Sequence, residues 1–239
     1  MNSTIAISGN AHHSEFSVGI IMLKTSFPRL KGDIGNPETF RYKAQYEVVD
    51  LATVDSVVTS SKIDEAVFEG IVAAAKRLEC RGVKAIATSC GFLAPIQARI
   101  QDQIKTPFVA SSLNIIPLMN TIFGIHNDIG ILTFDQSKLS PLHFNGHYRT
   151  GLHIQDIDKE GAFYQAIKFD KRELSYQEAE NDVLNSAKKL VDKHKNLSCI
   201  ILECTNLSPY KNEIKRITQK PVFDIVEILD WLFKASSDG

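Results

Sequence analysis

The chain holds 239 residues, 44% hydrophobic and 23% charged, and its 27 Lys+Arg against 28 Asp+Glu leave a formal net charge of -1 at pH 7. That length supports a core needing neither disulfide nor metal, and the balanced charge supplies no long-range field to gather nucleic acid or an anionic membrane. The apolar run at residues 18–23 is too short to span a bilayer and lacks the flanks of a secretory signal, so the expectation is a cytoplasmic protein with no nucleic-acid or membrane partner.

Short β-rich apolar runs alternate with segments of helical period, the pattern of parallel strands joined by helices. Strands are predicted at residues 18–23, 45–50, 83–88, 108–110, 129–134, 199–203 and 222–223, which makes an α/β fold. Residues 25–40, after the first strand, carry Phe27-Pro28-Arg29, Gly32-Asp33-Ile34-Gly35-Asn36 and Pro37. This is more turn chemistry than a connection needs, at the end of a parallel sheet where loops build binding sites. A helix is predicted over 62–79, opened by a Ser61/Asp64 capping box and stopped by Gly82, with Ile63, Val67, Ile71, Ala75 and Leu78 on one face. His143 and His147 lie four apart after a Ser140-Pro141 helix start, but no third ligand accompanies them and no metal is expected. A second long helix spans 176–194, and Val226, Ile228, Leu229, Trp231, Leu232 and Phe233 read as a packed core helix. Residues 1–15 and 236–239 read as loose ends.

The chain also repeats itself. Ala87-Thr88-Ser89-Cys90 and Leu202-Glu203-Cys204 each close an apolar strand, and a proline opening a short strand follows 17 positions later in both cases, at Pro107 and Pro221. Each unit opens on a Gly-led strand, at Gly19 and Gly130. Two pseudo-symmetric α/β lobes are therefore expected, an N-terminal one over 17–125 and a C-terminal one over 126–223, with 224–239 a helix and tail packing back on the first lobe.

Four cysteines, Cys80, Cys90, Cys199 and Cys204, lack the density of a disulfide scaffold and contain no Cys-x-x-Cys pair, so they read as thiols. Cys80, near a helix end, and Cys199, inside an apolar strand, read as structural. Cys90 and Cys204 end strands where ligands bind in open α/β sheets, one from each lobe. A thiolate on one side of a carbon and a thiol on the other can take a proton from one face and return one to the other, with neither metal nor cofactor. The helices expected after both cysteines should lower their pKa by about two units. Arg29 suits a bidentate carboxylate contact, or a pairing with Asp33 or Glu38. Thr133, Ser111 and Ser112 fall on the same rim as substrate contacts or helix caps.

Ala87-Thr88-Ser89-Cys90-Gly91-Phe92 and Glu203-Cys204-Thr205-Asn206-Leu207-Ser208-Pro209 resemble the two cysteine motifs of the aspartate/glutamate/hydantoin racemase superfamily. The resemblance runs over residues 18–232. It implies an active site between lobes, Cys90 and Cys204 as the acid/base pair, no cofactor, a small carboxylate substrate and a homodimer. Ser89, Gly91, Phe92, Thr205 and Asn206 would join Arg29 and Thr133 around that substrate. Glutamate racemases typically carry Cys-Asn-Thr and Cys-Thr-His at these motifs, so Cys90-Gly91-Phe92 and Cys204-Thr205-Asn206 are departures. Racemisation of a small amino acid or related carboxylate is the leading expectation. A lyase or decarboxylase, such as the related dimethylsulfoniopropionate lyases, is the alternative, and a non-catalytic small-acid binder is a third.

Overall fold

The computed structural model describes residues 17–236; the loose ends expected at 1–15 and 236–239 lie outside the described residues, except for Ser236, which ends the last helix. In chain order the elements are β1 (Ser17–Leu23), β2 (Lys43–Val49), α1 (Val54–Val57), α2 (Glu65–Cys80), β3 (Ile86–Thr88), α3 (Gln97–Gln101), β4 (Phe108–Val109) and α4 (Ile116–Phe123). Then come β5 (Asp128–Thr133), β6 (Leu152–Asp156), α5 (Ala162–Lys168), α6 (Tyr176–Lys193), β7 (Leu197–Leu202), α7 (Lys211–Thr218), β8 (Val222–Phe223) and α8 (Ile225–Ser236). They build two four-stranded parallel sheets with one topology, β2-β1-β3-β4 and β6-β5-β7-β8. The α/β architecture of two like lobes read from the sequence is the one the chain forms.

All seven residues of β1 are buried, as a strand covered by helices on both faces requires. The glycine that opens the repeat has a packing reason. A Cβ at Gly19 would lie 3.0 Å from Leu78 of α2, and one at Gly130 would lie 2.9 Å from Leu190 of α6. In each lobe the missing side chain lets a helix leucine settle onto the central strand.

Helix α2 begins three residues later than predicted. Asp64, rather than Ser61, is its N-cap, with the carboxylate accepting the amide of Ala66. The sequence pattern missed β6 because only Leu152 of its five residues is buried, so this edge strand has no apolar alternation to read. The turn Pro141–Phe144 is followed by Asn145 in the left-handed region, which separates the expected His143/His147 pair: His143 is buried against Phe92 and His147 is exposed.

One apolar cluster runs from Ile71 and Ile86 of the first lobe into Ile131, Val183 and Ile201 of the second. A smaller one holds α8 against the first sheet, with Ile225, Ile228, Leu229 and Phe233 meeting Val18, Ile20, Ala87 and Val109. Trp231 faces outward, 62% exposed. Among the described residues no helix is long and apolar enough to cross a membrane.

Leu78 is fully buried beneath Gly19, so Leu78→Ala should cost about 2–5 kcal/mol through lost contacts and a residual cavity. Urea unfolding checks this as a lower midpoint with an unchanged slope.

Candidate active site

Cys90 lies just beyond β3 and Cys204 two residues beyond the end of β7. Each caps a 3-10 turn, Gly91–Ile96 and Thr205–Tyr210 respectively. Each sulfur also accepts the amide two residues on, from Phe92 and from Asn206. The internal repeat thus delivers two thiols at matching places, each heading a 3-10 turn. Both line one narrow cleft between the lobes, together with Arg29, Ser89, Gly91, Phe92, Thr205 and Asn206.

Arg29 takes the pairing with Asp33 that its sequence context offered. Its guanidinium sits 3.3 Å from Asp33, donates to the Thr25 hydroxyl at 2.9 Å and stacks 4.3 Å from the Phe27 ring, while the side chain still lines the cleft. Asp33 in turn accepts Asn206 Nδ2 at 2.6 Å, so the loop after β1 is tied to the second cysteine turn. Ser89 and Thr205 serve the framework as well as the wall: Ser89 Oγ accepts the Leu23 amide, and Thr205 Oγ1 donates across the seam to the Ser89 carbonyl at 2.7 Å. The Cys204 thiol donates to Asn206 Oδ1 at 3.6 Å. Ser111 caps the turn after β4, and Ser112 Oγ donates to the Leu202 carbonyl.

Thr133 does not reach the cleft. It is fully buried and its hydroxyl donates at 2.7 Å to Oε2 of Glu203, a residue that sequence reasoning passed over. Glu203 lies between β7 and Cys204 and lines the cleft although its solvent exposure is nil. The Phe134 amide also favours the carboxylate, whereas Oε1 has no hydrogen-bond partner among the described residues. A side chain at Gly91 would strike both Oε1 and the Glu203 carbonyl oxygen, so only glycine fits opposite. The signal was present in the sequence: a glutamate ending the otherwise apolar run Cys199-Ile200-Ile201-Leu202 has to be buried or functional.

Burial without a cationic partner pushes the Glu203 carboxyl up to about 7, against the pull of Thr133 and Phe134. The same burial, reinforced by Glu203, pushes the Cys90 thiol up to about 12 and Cys204 well above its ordinary range. This corrects the expectation that helix termini would lower both. Short 3-10 turns carry little dipole, and one amide per sulfur, with Arg29 also acting on Cys90, does not outweigh desolvation. The resting cleft therefore holds two neutral thiols over a carboxyl group that is half-protonated near neutrality.

No protein-family model matches the chain. It is similar to the dimethylsulfoniopropionate lyase of Durusdinium sp. clade D, 25% identical over 232 residues that span 93% of this chain and 76% of the relative. It is also similar to dimethylsulfoniopropionate lyase 7 of Emiliania huxleyi, 27% identical over 235 residues, 93% of this chain and 68% of that one. Solved structures that share its shape include allantoin racemase from Klebsiella pneumoniae, with a TM-score of 0.60, 14% identity and coverage of 93% and 90%. Unliganded arylmalonate decarboxylase gives 0.59, 12% identity and 94% of both chains. Glutamate racemase from Francisella tularensis in complex with D-glutamate gives 0.54, 16% identity and 92% and 80%. The chain shares the two-lobed α/β fold of these structures.

Between pH 4.5 and about 7 the folded protein keeps a Glu203 proton that the unfolded chain has released, so this group's contribution is fully present below pH 4.5 and lost as pH rises through 7. The loss amounts to about 3 kcal/mol. Glu203→Gln should remove it. The difference in unfolding free energy, variant minus parent, should grow in the variant's favour across that window and level off above it, as read by denaturant titrations at a series of pH values.

Proposed function

We propose that this protein is a cofactor-independent enzyme that removes the proton beside a carboxylate, with Cys90 and Cys204 as base and acid, and that it eliminates a β leaving group rather than inverting the carbon. The observation that carries the reading is the pair of strand-end thiols opening on one cleft with a single arginine at its wall.

The character of that wall supports elimination from an onium substrate. Phe27, Phe92, Phe134, Val54, Val58 and Ile167 give it a large apolar face. A free α-ammonium would bring three N–H donors that such a surface leaves unpaired. An alkylated sulfonium has no donors, and aromatic faces attract it. Its positive charge beside the sulfurs would also favour the thiolate that the empty cleft disfavours. The curated relatives are lyases named for dimethylsulfoniopropionate, which unites such a sulfonium with a carboxylate.

In this reading Arg29 and the amides heading the two turns hold the carboxylate. A cysteine thiolate takes the α-proton, the electron pair left on carbon forms the C=C bond, and the C–S bond breaks with its pair on sulfur. Dimethyl sulfide and acrylate are the products, and one proton is released per turnover. Racemisation remains the second reading, favoured by the equivalent placement of one thiol in each lobe: returning a proton from the opposite sulfur would invert the centre.

With dimethylsulfoniopropionate the protein should release dimethyl sulfide and acrylate one to one, and Cys90→Ser and Cys204→Ser should each lower the rate by at least about 100-fold. Gas chromatography of the sulfide checks both statements. Inversion of an amino acid with deuterium uptake in D2O, and no sulfide, would support the second reading instead. Near-parental turnover in either serine variant would overturn the cysteine pair.

A further inference from the structure

We propose that Glu203 is the proton-holding partner of the two cysteines: the proton a thiol must shed to become the base moves to Oε1 of Glu203, which faces the cysteine turns unpaired. The inference rests on the two-thiol reading of the cleft, and it assigns the group through which that site loses and regains its proton.

The geometry carries it. An unpaired carboxyl oxygen in a fully buried position is costly unless it carries or receives a proton. Oε2 is occupied by Thr133, and Oε1, unpartnered among the described residues, is the oxygen free to be protonated. It points at Gly91, beside Cys90, where a side chain would have displaced it. The titratable groups facing Glu203 are Cys90 from the turn after β3 and Cys204 from its own turn, and both feel its charge. Beyond them, in the loop after β1, Arg29 acts on Cys90 and Asp33 on Cys204. No lysine or arginine among the causes of the Glu203 shift competes for its proton.

The step balances simply. A carboxylate and a thiol become a carboxylic acid and a thiolate, one proton crossing from Sγ to Oε1 with no change of oxidation state. The thiolate then takes the substrate's α-proton and is a thiol again. After elimination the site carries one proton more than at the start, and Glu203 returns it to solvent. With a carboxyl pKa near 7, the thiolate population should rise with pH only until Glu203 ionises. Above that point the thiolate and the carboxylate share a single negative charge, and the population flattens.

Alkylation by iodoacetamide reads this without any substrate. In a Cys80→Ser background, which removes the exposed thiol, modification of Cys90 and Cys204 is followed by mass spectrometry from pH 5.5 to 9.5. The parent rate should rise about tenfold per pH unit to about pH 7 and then flatten, because only the thiolate reacts. Glu203→Gln should continue to rise and exceed the parent by about 100-fold at pH 9. Thr133→Val, which removes the hydroxyl that stabilises the carboxylate, should move the break to higher pH and serves if the glutamine variant fails to fold. Infrared difference spectra of parent against Glu203→Gln, which do not depend on thiol access, should show a protonated carboxyl stretch persisting to about pH 7. A parent profile that rises without a break, matching Glu203→Gln, or a carboxyl band already lost by pH 5, would overturn the proposal. Absence of sulfide release with the break intact would count against the lyase reading alone.

Discussion

A carboxyl group sealed beneath two thiols is the constraint on which the cleft depends. Among the described residues Glu203 has no cationic partner, its exposure is nil, and one of its oxygens has no hydrogen bond. Such a group holds its proton up to about pH 7, and burial, reinforced by its charge, raises both sulfurs above it. Several otherwise unrelated residues follow from this. Gly91 must be glycine to admit the carboxyl, and Thr133 turns away from the cleft to hold the opposite oxygen.

The seam that encloses this group is held mainly by neutral or half-neutral hydrogen bonds. Thr205 donates to the Ser89 carbonyl, Ser112 to the Leu202 carbonyl and Asn145 to the Ala94 carbonyl, each crossing from one lobe to the other. Asp170 of the second lobe accepts the amides of Ser26 and Phe27, at 2.5 and 3.0 Å, and so pins the start of the loop that carries Arg29. Backbone partners do not change charge with pH, so the walls keep their spacing while the groups between them titrate. A small, apolar cleft strengthens every electrostatic interaction inside it.

Much of this was legible beforehand. The Gly-led strands, the strand-end cysteines and the prolines 17 positions on report local packing and turn chemistry, and local rules suffice to read them. The cleft residues Arg29, Ser89, Gly91, Phe92, Thr205 and Asn206 were visible through adjacency to those cysteines or to the first strand's end, because a parallel sheet gathers such positions at one edge. Thr133 obeyed the same topological rule and still points elsewhere: topology locates a rim but leaves open which side of a strand a hydroxyl takes. The edge strand β6 and the cap at Asp64 escaped because exposure on one face and competition between neighbouring caps erase the pattern.

The sequence by itself determined the class of fold, the duplication and the two thiols, since hydrophobic period and spacing are properties of the chain as written. Only the tertiary structure decided the acid–base character of the site. A pKa depends on what surrounds a group in three dimensions, and the charged neighbour that most raises Cys90, Glu203, lies more than a hundred positions away along the chain. A helix-terminus rule read along the sequence foresaw acidic thiols; burial and a carboxyl from the other lobe reversed the sign.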